Sequence, residues 1–202
     1  MRNLTLSLIA VVALTFAACN TAQKTESSAK ADDTPKKEMA EDKAVPYVVK
    51  VVNDSIASPR MELTGLVGDA NVTVNFGSPK VKGRTIWGEL VKYDKTWRMG
   101  ANEATTFETS KDLKVGGDGT LPAGKYALFT VPSAEGAWKV VFNSQSDQWG
   151  AYNKDDAKDV LSVEATPSMT EEVAENLTFA IKDGNLVMMW EKLVLPVSMA
   201  TI

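Results

Sequence analysis

The chain has 202 residues, with 22 Lys and Arg against 26 Asp and Glu, a formal net charge of −4, no histidine and one cysteine. Without histidine, and with no thiol beyond Cys19, it cannot assemble a Ser-His-Asp triad, a Cys-His dyad or a His/Cys zinc or copper site. The mild acidity and the lack of a basic block argue against a nucleic-acid partner, and no cofactor is expected.

Residues 1–18 place Arg2 ahead of an apolar run from Leu4 to Phe16, followed by Ala17 and Ala18. That order is a secretory signal, too short and too abruptly ended for a spanning helix. Phe16-Ala17-Ala18-Cys19 resembles a bacterial lipobox, so Cys19 is the expected lipidation site and mature N-terminus. Several acyl chains on one cysteine anchor a protein stably where a single chain does not. An uncleaved anchor and a soluble secreted form are the alternatives. Asn20, rather than an acidic residue, follows the cysteine, which favours an outer-membrane address in the cell envelope. Residues 19–44 mix Ser, Thr, Ala, Lys and acids with no aromatic residue, and read as a flexible linker.

Residues 45–202 suit one domain. Its apolar period is two: Val72, Val74 and Phe76 alternate with Asn71, Thr73 and Asn75, and the same pattern recurs at Trp138, Val140 and Phe142 and at Leu177, Phe179 and Ile181. Further strands are expected at Tyr47–Val52, Met61–Leu66, Thr105–Thr109, Tyr126–Val131, Val160–Ala165, Leu186–Trp190 and Leu193–Met199. Gly68-Asp69, Gly116–Gly119, Pro132-Ser133 and Asp183-Gly184-Asn185 supply the turns between them. Many short strands without long amphipathic helices predict an all-β, antiparallel β-sandwich of jelly-roll or immunoglobulin-like type. Ser168–Glu175 is the one place where a short helix is expected, with Ser168 or Thr170 as cap. Pro196 in the last strand points to a sheet edge.

Several motifs resolve into simpler readings. Gly119 to Lys125 imitates the start of a phosphate-binding loop, but Tyr126 and a strand follow where a Ser or Thr and a helix are required, so no nucleotide partner is expected. Asp147, Asp155 and Asp156 lack the spacing of a calcium loop and read as turn acids. Ser78 with Lys80 or Lys82 falls far short of a hydrolase signature. Glu89, Glu103 and Glu191 are candidate carboxylates for a hydrolase, which needs two of them held about 5–10 Å apart.

The positive signal is the segment 78–110, which concentrates Arg84, Trp87, Tyr93, Trp97, Arg98, Asn102 and Glu103. Trp and Arg join large apolar faces to fixed donors and so dominate recognition surfaces. Trp87, Trp97, Arg98, Asn102 and Glu103 are therefore the candidate ligand-binding residues, for a glycan, a peptide or a partner protein. The competing reading is structural: an Arg98–Glu103 pair clamps the loop, Asn102 satisfies backbone groups and the tryptophans plug the sandwich.

The runs SPKVKGRTIWG, Trp97-Arg98, GANEATT, LPAGKYALFTVP, QWGAY and Trp190-Glu191 together resemble the family known as domain of unknown function 2911. The resemblance spans about Ser58 to Val197, with GANEATT as its most specific piece, while Lys92 and Met99 depart from the family's pattern. It implies an exported, often lipid-anchored bacterial domain rich in β-strand, with no established activity; attachment to a membrane through an N-terminal lipid is the expectation that Cys19 carries. Three functions stay open: a non-enzymatic envelope binding module, a carboxylate hydrolase of an envelope or dietary polymer, and a structural or assembly component.

Overall fold

The computed structural model describes residues 47–202; the expected signal sequence, the expected lipidation site Cys19 and the expected linker to residue 44 lie outside the described residues. The strands are β1 (Tyr47–Asn53), β2 (Arg60–Val67), β3 (Ala70–Gly77), β4 (Thr105–Thr109), β5 (Leu113–Val115), β6 (Gly119–Leu121), β7 (Gly124–Val131), β8 (Trp138–Asn143), β9 (Asp159–Ala165), β10 (Ser168–Lys182) and β11 (Asn185–Thr201). A seven-stranded sheet runs β1-β2-β3-β4-β7-β8-β9 and a four-stranded sheet runs β10-β11-β5-β6, with neighbouring strands antiparallel. Both sheets contribute to one apolar core: Leu63, Val74, Phe107, Leu128 and Phe142 from the larger, Leu177, Phe179, Ile181 and Leu195 from the smaller. This is the all-β sandwich that a period of two predicts. Among the described residues no helix is long and apolar enough to cross a membrane.

The last strand shows how local sequence meets this core. Its core-facing residues are Leu186, Met188 and Trp190, then Leu193, Leu195, Val197 and Met199, so parity changes between Trp190 and Leu193. Glu191 has a φ of 57°, and the ladder to β10 slips on both sides of Glu191's partner Ala174. A one-residue offset turns every later side chain to the opposite face, and a bulge supplies that offset. The strands expected at Leu186–Trp190 and Leu193–Met199 are therefore one bulged strand.

Two expectations are corrected here. Ser168–Glu175 is not helical but forms the first half of β10, where Ser168 pairs with Val194 and Met169 with Leu193. The Glu175 carbonyl accepts from Val81 N–H at 2.8 Å and Leu177 N–H donates to Pro79 O at 2.9 Å, so the segment is claimed by backbone partners on both sides. So short a helix is marginal by itself and loses to them. Thr170 Oγ1 accepts from Glu172 N–H at 3.3 Å, a local turn rather than a helix cap. Pro196 lies in an interior strand, between the β10 ladder that reaches Val194 and the β5 ladder that begins at Met199. Its missing N–H falls in that gap, which is why proline is tolerated away from an edge.

The connection between β3 and β4, residues 78–104, is long and irregular, yet Val81, Ile86, Val91, Trp97 and Met99 are buried in the core. Trp97 exchanges both backbone hydrogen bonds with Thr130 of β7, at 2.7 and 2.8 Å. The Trp87 ring meets Trp97, Trp138 and Trp190 edge-on at 5.7, 5.0 and 5.9 Å, while Trp97 and Trp190 stack at 5.9 Å. Such pairs add about 0.5–1.5 kcal/mol each beyond burial. The connection is thus a core element that happens to lack regular secondary structure.

Within this cluster the indole N–H groups differ: Trp138 Nε1 donates to Ser133 O at 2.9 Å, whereas the buried Trp190 Nε1 has no acceptor among the described residues. Replacing Trp138 by Phe strands a carbonyl and loses a bond, and replacing Trp190 by Phe removes an unsatisfied donor. In urea denaturation Trp138→Phe should cost about 1 kcal/mol more than Trp190→Phe. The reverse order would show that Trp190 has a partner in solution.

Candidate functional site

The outer face of the seven-stranded sheet carries a polar row. Cross-strand register aligns Lys50 with Glu62, Glu62 with Asn75, Asn75 with Thr106, Thr106 with Ala127, Ala127 with Asn143 and Asn143 with Asp159. From Glu62 to Asn143 each member is flanked by a core residue, so the strand period that builds the core also builds this row, and a bulge in the β8–β9 ladder brings Asp159 onto it. Over the β7–β9 half the row is roofed by the loop after β8. Asn143 donates to Asp155 O at 2.9 Å and to Asp159 Oδ1 at 2.7 Å, and Lys154 Nζ lies 2.7 Å from both Asp156 and Asp159. Under that roof Ala104, Ala127, Phe129 and Val141 make a second, smaller apolar cluster with Ala151.

Over the β2–β4 half the row is open, as a trough of about 590 Å³ whose lining includes Arg60, Glu62, Asn75, Glu103, Glu108, Lys125, Asp147 and Gln148. Arg60 anchors its floor: Nε donates to Asn75 Oδ1, Nη2 to Ala104 O at 3.3 Å and Nη1 to Glu103 O at 3.4 Å, with the Glu103 carboxylate 3.7 Å from Nη1. Burial lowers the Arg60 pKa, and Glu103 acts in the opposite direction. Lys50 lies 2.7 Å from Glu62, and this hydrogen bond holds the Glu62 carboxyl below the usual carboxylate range. Gln148 Nε2 donates to Gln145 O at 2.6 Å, which fixes the amide's orientation and leaves its buried Oε1 without a donor among the described residues. Next to Gln148, Trp149 is 61% exposed, and its backbone bridges Glu103.

The five candidate residues are not brought together. Trp97 belongs to the core, 9% exposed. Trp87 sits in the tryptophan cluster and shows one face to a separate cavity of about 470 Å³, shared with Tyr93, Trp138, Met169 and Leu193. The expected Arg98–Glu103 pair is absent among the described ion pairs, because Glu103 turns to Arg60 instead. Arg98 Nε is buried without a hydrogen-bond partner among the described residues; burial lowers the Arg98 pKa and Tyr152 acts the other way. Asn102, with a φ of 63°, donates from Nδ2 to Ser58 O at 3.4 Å and accepts from Gly150 N–H at 3.1 Å. Of the five, Glu103 alone lines the trough.

GANEATT is a backbone knot. A Cβ on Gly77 would stand 2.1 Å from Ala101 O, and one on Gly100 would stand 2.9 Å from Gly77 O, so the two glycines let β3 and this turn touch. Thr105 Oγ1 donates to Met99 O at 2.9 Å, and Ala104 N–H donates to Gln148 O at 3.0 Å. The knot ties the start of β4 to the loop that carries Gln148 and Trp149, and so places the trough's two rims.

The remaining sequence candidates disperse. Ser78 Oγ donates to Leu177 O at 2.7 Å and is spent inside the sandwich. Glu191 borders a different cavity with Arg84 and Trp87, away from Glu103. Asp155 Oδ1 accepts from Ala157 N–H at 3.0 Å, as a turn acid does. Sequence reasoning missed Arg60, Glu62, Asn75, Thr106, Gln148 and Trp149. Asn75 was visible only as the polar half of an alternating strand, and QWGAY only as a motif.

A sandwich with a polar trough on an outer sheet face is a scaffold open to many chemistries. The chain belongs to the family described as protein of unknown function (DUF2911), whose profile matches residues 58–199. No curated protein and no solved structure matches the chain.

The two sides of the Arg60–Glu103 contact are unequal, since their side chains are 15% and 50% exposed. Arg60→Ala strands Asn75 and two carbonyls and should cost about 2–3 kcal/mol. Glu103→Gln breaks a half-exposed contact and should stay within about 1 kcal/mol of the parent. Thermal and urea melts of both variants check this, and a larger loss for Glu103→Gln would contradict the assignment of Arg60 as the floor's anchor.

Proposed function

We propose that the protein is a lipid-anchored lipoprotein of the cell envelope whose sandwich acts as a binding module for glycans. The observation that carries this reading is the open trough with polar side chains along its lining, next in the chain to the exposed Trp149, which follows the lining residue Gln148. Sugars present hydroxyl groups to such side chains and an apolar ring face to an aromatic one. The strongest candidates of the sequence, Trp87 and Trp97, serve the core in this reading, and the rims of the trough take over recognition. Signal-like residues 1–18 and Cys19 supply the anchor, and the linker holds the domain away from the bilayer.

A carboxylate hydrolase is the second reading, favoured by the acids Glu62, Glu103, Glu108 and Asp147 around one trough. Its proton donor would be one of the last three, because Glu62 is held ionised by Lys50. Release of new reducing ends from a bound oligosaccharide separates a hydrolase from a binder.

A glycan array probed with the full-length chain is expected to give saccharide signals that fall at least about tenfold in Trp149→Ala, with an unchanged melting temperature. Binding that survives Trp149→Ala and Gln148→Ala together, or signal confined to a peptide array, would overturn the glycan reading. The anchor is checked separately: Cys19→Ser should abolish metabolic labelling by a fatty acid, and retained labelling would refute lipidation at this residue.

A further inference from the structure

The two ends of the larger sheet differ. At one end Leu161 and Val163 of β9 pack against the β5–β6 turn of the smaller sheet, where a Cβ on Gly116 would stand 2.6 Å from Val163 and one on Gly119 would stand 2.9 Å from Leu161. At the other end β1 is the terminal strand, and residues 47–53 make no backbone hydrogen bond outside the β2 ladder among the described residues. Open edges are ordinarily charged, bulged or covered, because their free N–H and C=O groups pair with other extended chains. This edge presents Val48, Val51 and Val52, each more than half exposed, around one charge, Lys50. The run Val48-Val49-Lys50-Val51-Val52 also reads the same in both directions.

We propose that β1 pairs antiparallel with β1 of a second copy across a twofold axis at Lys50, joining two of the larger sheets edge to edge. In that register Val48 faces Val52 of the second copy and Val49 faces Val51, so every valine meets a valine, a favoured cross-strand pair. An axis at Val49 or Val51 sets Lys50 against a valine instead, and a slip of one residue sets the core face of one copy beside the outer face of the other. Like charges directly opposite one another resist pairing, but each Lys50 Nζ lies 2.7 Å from Glu62 of its own copy, so the axis carries two ion pairs rather than two bare ammonium groups. The polar row then runs on through the axis: Asn75, Glu62 and Lys50 of one copy are followed by Lys50, Glu62 and Asn75 of the other. Directly opposed residues point to the same side of a sheet, so both troughs, whose linings include Val52 and Glu62, open on one face. The β2 ladder slips between Val51 and Asn53, which ends the pairing at Val52 and keeps the contact well below the roughly 1,200 Å² of a standard interface. Association is therefore weak and reversible, and it does not depend on what the trough binds.

The test uses full-length chains carrying Cys19→Ser, so that an introduced cysteine is the only thiol. Lys50→Cys sets two cysteines opposite each other at the axis, within the Cα separation of about 4.4–6.8 Å that a disulfide tolerates, and mild oxidation should give a covalent dimer. Val48→Cys alone, whose two copies stand about 13 Å apart along the strands, should link at least about tenfold less, whereas Val48→Cys mixed with Val52→Cys should link readily. Leu66→Cys, exposed on the neighbouring strand, reports chance collision. Without an added cysteine, sedimentation at about 0.5 mM should show a reversible dimer that Val48→Lys weakens at an unchanged melting temperature. Glu62→Gln bares the two ammonium groups and should weaken the dimer several-fold at low salt, with recovery in about 0.5 M salt, where like charges are screened. Equal linking at Leu66→Cys and Lys50→Cys, strongest linking at Val49→Cys or Val51→Cys, or a folded chain that stays monomeric at that concentration overturns the proposal.

Discussion

Trp87 touches Trp97, Trp138 and Trp190, and through those contacts one residue of an irregular connection joins the rest of its own loop, a strand of the larger sheet and a strand of the smaller. Four of the chain's five tryptophans are used in this way. A long loop of ordinary composition lies on a surface, because its backbone polar groups need water. This one is drawn inward because its indoles bury large apolar faces, and the paired hydrogen bonds between Trp97 and Thr130 satisfy the backbone where it enters the core. The position of everything that follows in sequence, from Arg98 to β4, depends on that docking.

The consequence reaches the opposite face of the larger sheet. With Trp97 and Met99 held inside, the chain passes the Gly77 end of β3 before entering β4, and the contact of Gly77 with Ala101 allows it to do so without lifting away from β3. Glu103 then arrives beside Arg60 rather than Arg98, and Ala104 binds the Gln148 backbone. The turn that reads in sequence as a recognition motif therefore acts as a bracket. It aligns a polar sheet surface with the loop that bears Gln148 and Trp149, and it leaves an unroofed half-row where a soluble ligand has room. On the other half of the same row, Asn143, Lys154 and Asp159 close upon one another, so sandwich geometry alone does not open a site; the length and tethering of the loop after β8 determine where the opening falls.

Much of this architecture can be read from residues in order. Alternation at Val72–Phe76, Trp138–Phe142 and Leu177–Ile181 reports strands directly, because each side chain's direction depends only on its place along an extended backbone. Asp183-Gly184-Asn185 marks the hairpin between β10 and β11 for an equally local reason: Asp183 and Gly184 adopt φ values of 49° and 73°. The same local logic misjudges Ser168–Glu175, whose composition allows a helix while the backbone groups of β11 and of residues 79–82 compete for it. It also divides β11 at Glu191, since a change of parity looks like an interruption until a bulge explains it. The ligand cluster fails for a related reason. Nearness in sequence suggested that Arg98 and Glu103 meet, but with Met99 buried and Asn102 in a left-handed conformation the chain turns between them and separates their side chains.

Residue types and their period, by themselves, determined an antiparallel sandwich and the absence of histidine and thiol chemistry from residues 45–202, while the order of the motifs, GANEATT among them, carried the resemblance that the family match bears out. Only the tertiary structure decided that the tryptophans belong inside and that Lys50, Glu62, Asn75 and Thr106 form one lateral row. These four residues come from four strands, and nothing in the spacing along the chain encodes their alignment. Register does encode it, and register is settled by all the strands packing against a shared core at once, where a slip of one residue would expose the apolar face and bury the polar one.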